Sequence, residues 1–265
     1  MKLFLGFALQ EFTAAAMYRF EYWLQLAGNL IQMYGIYWLW NTLARQKPAL
    51  LGASLDQVLT YTLLAMVLEV ILRASNLPRY TISNLIRTGA IQADLLRPLD
   101  FHFHLFARSS GLLIYLLLGQ GLLGTLFGVL FLGIHAPASP IYALLFVFSL
   151  ALAFLVGFSL NFLIGLVSIY TIEAARISWL YYALLRFFSG QMIPLWMFPP
   201  LLAQVVALLP FQSVIGVPLS IYIGRLSIPA ALQAISLQAL WAGALLLLGR
   251  LAWSRAQARL IIQGG

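Results

Sequence analysis

The stretch IYALLFVFSLALAFLVGFSLNFLIGLVSI, Ile141–Ile169, carries no charged residue. A helix needs about 20 mostly apolar residues to cross a hydrocarbon layer about 30 Å thick. This run is long enough to do so, and it has no place on a surface exposed to water. Five more segments read the same way: about Tyr22–Leu43, Leu55–Leu72, Leu105–Leu132, Ile177–Ile193 and Ala230–Ala252. Composition agrees. The 265 residues are 63% hydrophobic and 8% charged, where a soluble domain is roughly 45–50% apolar and about 25% charged. The expected fold class is an all-α polytopic membrane protein: one domain, Met1–Gly265, with six transmembrane helices.

The absence of cysteine excludes disulfides, thiolate metal sites and thiol catalysis. The net charge of +8 is set by where the basic residues fall, not by a nucleic-acid surface. With both termini cytoplasmic, the inner segments hold Lys2, Arg19, Arg73, Arg79, Arg87, Arg97, Arg108, Arg176, Arg250, Arg255 and Arg259. The outer segments hold only Arg45, Lys47 and Arg225, and Arg186 falls within the fifth span. The positive-inside rule therefore favours cytoplasmic termini, and six spans require both termini on one side. The N-terminal MKLFLGFALQEF has a thin basic region, and Gln10 and Glu11 interrupt its apolar run. It reads as an interfacial amphipathic helix, not a signal peptide.

The longest polar connection, Arg73–Arg108, faces the cytoplasm in this topology. Asn76 can cap a helix, Pro78 suits its first turn and Gly89 suits its stop. Arg79, Ser83 and Arg87 then form a polar stripe, with Ile82, Leu85 and Ile86 opposite and Gly89 continuing the apolar side. Such a helix either floats among lipid headgroups or docks a cytoplasmic partner. Periodicity alone fits both.

Between the fifth and sixth spans, Ser189–Arg225 holds five of the eleven prolines and, at its end, a single charge. Prolines this dense prevent a straight spanning helix. Non-helical backbone at membrane depth persists only inside protein or along a cavity. Re-entrant short helices are expected here, Leu201–Leu209 among them, entering from the outer side. Two extra spans would each be too short.

Polar groups within the spans are few. Glu69 and Arg73, and Glu173 and Arg176, are spaced for ion pairs on one helix face. Gly157, Asn161 and Gly165 share a stripe, and Gly124 and Gly128 form GxxxG; both patterns suit close helix packing. Gln32, Gln120 and Asn161 are alternatively candidates for a water-facing transport path. Arg186, without an evident local partner, is a further functional candidate. His102 and His104 read as interfacial, with no metal set around them. No GxxxxGK[ST] loop occurs, the only lysines being Lys2 and Lys47, so the chain has no P-loop with which to hydrolyse ATP.

Two segments carry a family resemblance. GAIQADLLRPLDFHFH, from Gly89, and FFSGQMIPLWMFP, from Phe187, are similar to segments of ABC-2-type transporter permeases, closest to a six-span branch of roughly 260 residues. The terminal Gly264-Gly265 after a basic helix also resembles that branch. The resemblance implies a dimeric pore made with a second permease copy or a related subunit, and two separate ATP-binding cassette subunits. ATP and Mg are expected on those partners and no cofactor on this chain. It implies that Arg79–Gly89 is the ATPase-coupling helix and that the element with Gly190, Pro194, Pro199 and Pro210 lies at the outer face of a bacterial inner membrane. It further implies export of lipids, glycans, drugs or peptides. Arg186 has no place in the family pattern. An intramembrane lipid-modifying enzyme would instead need clustered acid, base or nucleophile groups. A passive channel or assembly protein would need no docking helix.

Overall fold

The computed structural model describes residues 2–17, 19–92, 100–171 and 173–263, and its regular structure is helical throughout. Arg97, most of the ADLLRPLD portion of the first motif, and Gly264-Gly265 lie outside the described residues. Twelve α-helices organise the rest. They are α1 Lys2–Met17, α2 Arg19–Gln46, α3 Leu55–Val67, α4 Glu69–Ser75, α5 Leu77–Thr88 and α6 Phe101–Leu116. They continue with α7 Leu122–Phe131, α8 Pro140–Leu166, α9 Ala174–Phe188, α10 Pro200–Leu208, α11 Gly216–Tyr222 and α12 Ile228–Gln263.

Local chemistry explains several boundaries. At the start of α3, Ser54 Oγ accepts from the Gln57 N–H at 3.3 Å and the Gln57 side chain accepts from the Ser54 N–H at 3.4 Å, a reciprocal cap. Asp100 caps α6 by accepting from the Phe103 N–H at 2.9 Å. Pro140 occupies the first turn of α8, where its missing N–H costs nothing.

Among the described residues, four helical stretches are long and apolar enough to span a membrane: Leu55–Thr88, Phe101–Phe131, Pro140–Ile169 and Ile228–Ala258. The other two expected spans differ for separate reasons. Helix α2 has 28 residues, ample length at 1.5 Å per residue, but it carries Glu21, Gln25, Asn29, Gln32, Asn41 and Arg45. Helix α9 has only 15 residues, about 22 Å, because it stops at Ser189 and Gly190 rather than at Ile193. Gly190 has φ 82°, a left-handed turn that suits glycine.

The second expected span is also longer than its apolar run. Its regular hydrogen bonding is interrupted at Leu68 and again at Asn76, but it stays helical from Leu55 to Thr88, 34 residues. That is about 51 Å, so it overruns the hydrocarbon by about 20 Å. This stretch is the axis of the bundle. Val58, Tyr61, Leu63, Ala65, Ile71 and Leu72 are at most 2% exposed, and α2, α7 and α8 pack around them. The neighbouring helices leave broad apolar faces uncovered, including Leu118, Leu130, Leu144, Leu240 and Leu247, as lipid-facing helices do.

Connections segregate to two ends. At one end, Trp196 Nε1 donates to Leu51 O (3.1 Å), Arg225 stacks over Trp196, Tyr222 Oη donates to His135 O (3.0 Å), and the His135 N–H reaches Thr60 Oγ1 (3.2 Å). The α2–α3, α7–α8 and α9–α12 connections therefore meet. The opposite end gathers α1, α5, the start of α6, the end of α8, the start of α9 and the C-terminal part of α12. Its contacts include Phe101 stacked on Trp253 and Arg108 paired with Glu11 at 2.8 Å.

Two expectations at this second end change. Helix α1 lies along α6, with Ala8 backbone so close to Gly111 that a Cβ there would sit 2.0 Å from Ala8 O. Its outward face carries Leu3, Leu5, Leu9 and Met17, all exposed; it is not divided into a buried apolar and an exposed polar side, because Glu11 is turned inward onto Arg108. His102, expected at the interface, is shielded by this chain: it is 6% exposed and edge-on to Phe158 and Phe162.

Candidate functional site

Helix α5 presents an exposed polar surface at this end. Pro78 is in its first turn, and Gly89 ends it at φ 73°, with the Gly89 N–H on Ile86 O. Asn76 does not cap it. The chain arrives already helical, so the Asn76 N–H bonds to Leu72 O and Arg73 O, and its side chain makes no cap.

The faces of α5 are not those of the simple stripe. Ile82 is fully buried on Gly165 of α8, where a Cβ would lie 3.0 Å from Ile82 Cδ1 and 3.1 Å from Arg79 Cα. Leu85 and Ile86 pack on the same core with Phe162 and Leu166. Ser83 Oγ is 2.6 Å from Ser168 Oγ. Arg79, expected on the outer polar stripe, is 2% exposed and donates to Ser178 O at 2.7 Å from between Tyr80, Tyr181 and Tyr182. Ile82 and Arg79 are thus covered by this chain, while Leu85 and Ile86 are partly covered by it. The surface left free is Tyr80, Asn84, Arg87, Thr88 and Gly89, with Arg87 donating to Asn84 Oδ1 at 3.2 Å.

A second polar region lies along the bundle. Gln25, Asn29 and Gln32 of α2, Glu69 and Arg73 of α4, and Gln120 line a groove of about 420 Å³. Gln120 enters from the π turn Leu117–Gly121 that separates α6 from α7. Such turns re-aim side chains within a helix. Arg73 donates to Gln120 and to Gln25, not to Glu69 as the i, i+4 spacing suggests. Gln32 and Gln120, read as path candidates, are thus neighbours. Asn161 is not with them: it is fully buried and donates to Gly157 O at 2.9 Å within α8. Arg186 stands apart too, donating to Gln191 Oε1 at 2.9 Å beside the Tyr182 ring. Glu173 and Arg176 do pair, at 3.1 Å, on an exposed turn. Sequence reasoning missed Gln25 and Asn29, although they continue Gln32 at i, i+4 and i+7, the spacing of one helix face.

The proline-rich stretch is short helices packed into the bundle end. Tyr61 Oη donates to Gly190 O at 3.0 Å. Pro194 precedes the turn Leu195–Met197, Pro199 precedes α10, and buried Pro210 opens the turn Pro210–Ser213. Gln238 of α12 ties this region to α8: it accepts from Ser149 Oγ at 2.8 Å and donates to Ser213 O at 2.7 Å.

Long apolar helices around a buried helical axis define a multi-pass membrane protein. Residues 30–264 match the family model described as ABC-2 family transporter protein. The chain belongs to that family: it is a membrane permease of an ABC transporter, a transport subunit and not itself the ATPase. Permeases of this family work with ATP-binding cassette partners. No curated protein sequence matches the chain significantly.

Proposed function

We propose that this chain forms half of the translocation pathway of an ATP-driven exporter and is driven through α5 by a separate ATP-binding subunit. The observation that carries this reading is the exposed face Tyr80–Asn84–Arg87–Thr88 at the end of the bundle's central helical stretch. A push there bears on the most buried helices of the fold. The partner's nucleotide cycle must bind the inward- and outward-facing arrangements of the permease differently, or no transport follows. Arg87 meets an acidic group of the ATPase; Tyr80 supplies the apolar contact.

In this reading α2 and α9 cross the membrane with the four long apolar stretches. That makes six spans, with both termini in the cytoplasm of a bacterial cell and the short-helix element at the outer face. The groove along α2 supports a dimeric pore. Gln25, Asn29, Gln32, Glu69 and Arg73 are costly against hydrocarbon, and a second permease copy or a related subunit would enclose them as a water-lined path. The substrate class is lipid, glycan, drug or peptide.

The test is reconstitution with the partner ATPase in vesicles. Arg87→Glu is expected to keep the permease folded while lowering substrate-stimulated ATP hydrolysis and transport at least tenfold. Coupled transport unchanged in Arg87→Glu would remove α5 as the drive point.

A further inference from the structure

We propose that the cavity between α5, the end of α8 and the start of α9 binds the phosphate headgroup of an anionic membrane lipid. The cavity holds about 470 Å³, within the range of small-molecule sites. Arg79 forms part of its wall and is 2% exposed. Its Nε has no acceptor, and among the described residues no carboxylate pairs with its guanidinium. One carbonyl, Ser178 O, and three tyrosine faces at 4.6–5.8 Å are its surroundings. A buried cation is costly without a counter-charge, and ring faces compensate only in part.

What lines the rest of the space fits an amphiphile. Arg87, Ser83, Ser168 and Thr171 bring a second cation and three hydroxyls to the same cavity. Arginine forks and hydroxyls suit phosphate oxygens. Ile86, Ala175 and Trp179 make the remaining wall apolar, which seats an acyl chain and not a free ion. The site lies under α5, so an occupant would wedge the helix against α8 and α9. This goes beyond the proposed docking of an ATPase and does not rest on it.

The test uses the chain alone, purified in uncharged detergent, with thermal unfolding followed against added lipid. Phosphatidylglycerol is expected to raise the melting temperature in a saturable, one-to-one manner, and phosphatidylcholine is expected to have no such effect. Ala175→Trp fills the cavity from its rim while leaving Arg79 in place. It is expected to keep the lipid-free melting temperature and to lose the phosphatidylglycerol response. Arg79→Gln, where it folds, is expected to weaken that response at least tenfold in affinity. Equal stabilisation by both lipids, or an undiminished response in Ala175→Trp, would overturn the proposal. So would inorganic phosphate reproducing the full effect, which would make the ligand a free anion. A response seen only when the ATP-binding subunit is present would assign the counter-charge to a carboxylate of that partner, and would equally overturn it.

Discussion

At the scale of single residues, Gly165 decides how α5 sits. A side chain there meets Ile82 Cδ1 and the Arg79 Cα within about 3 Å, and the Arg79 contact is backbone that cannot rotate away. Gly165→Val is therefore expected to destabilise the protein by about 1–3 kcal/mol, the usual cost of overpacking, visible as a lower melting temperature in detergent. Tyr61→Phe removes only the bond to Gly190 O, and is expected to cost about 1 kcal/mol while leaving the helix boundaries unchanged. These two residues also show what the sequence could and could not reveal. Gly89 as a helix stop and Gly157/Gly165 as a packing stripe follow from residue type and spacing. Asn76 as a cap does not, because capping requires the preceding chain to be non-helical, and here it is not. The burial of Arg79 was equally hidden: a stripe on one helix cannot tell which neighbour will cover it, and α9 does.

At the scale of elements, the packing of α5 onto α8 makes a sharp expectation. The chain contains no cysteine, so single cysteines report cleanly. Asn84→Cys is expected to react quickly with a water-soluble maleimide, whereas Ile82→Cys, fully buried on α8, is expected to stay unreactive until unfolding. Equal rates at the two positions would return the helix to a freely floating state. Helix α2 is the second element whose meaning lies in its polar face. Gln32 is exposed at the rim of the groove, so Gln32→Leu is expected to leave the melting temperature within about 1 °C of wild type, as surface changes do, while reducing transport several-fold. The apolar runs Ile141–Ile169 and Leu105–Leu132 were legible because hydrophobicity marks lipid-facing helices directly. The expected fifth span overruns α9 because Met192 and Ile193 continue an apolar run after the backbone has already turned at Gly190.

At the scale of the whole molecule, the two ends of the bundle separate the charges. Arg45, Lys47 and Arg225 belong to the end that holds the proline-rich short helices; Arg79, Arg87, Arg108 and Arg176 belong to the other. Cysteines at Lys47 and at His135 are accordingly expected to label from outside intact cells, and cysteines at Asn84 and Arg176 only after permeabilisation. Composition and charge placement made this division readable before any coordinates. The groove was not, because it is built from α2, α4 and a π turn that come together only in the folded bundle.

The proposed drive point is the exposed face of α5, gripped by a separate ATPase. A photo-crosslinking amino acid placed at Asn84 and, as a control, at Ile82, in the transporter purified with its partners, tests it most directly. Asn84 is expected to crosslink to a P-loop ATP-binding subunit in a nucleotide-dependent way, and Ile82 only within this chain, to α8. An intact, transporting complex in which Asn84 captures no ATP-binding subunit, or in which Ile82 captures it as well as Asn84 does, would contradict the account.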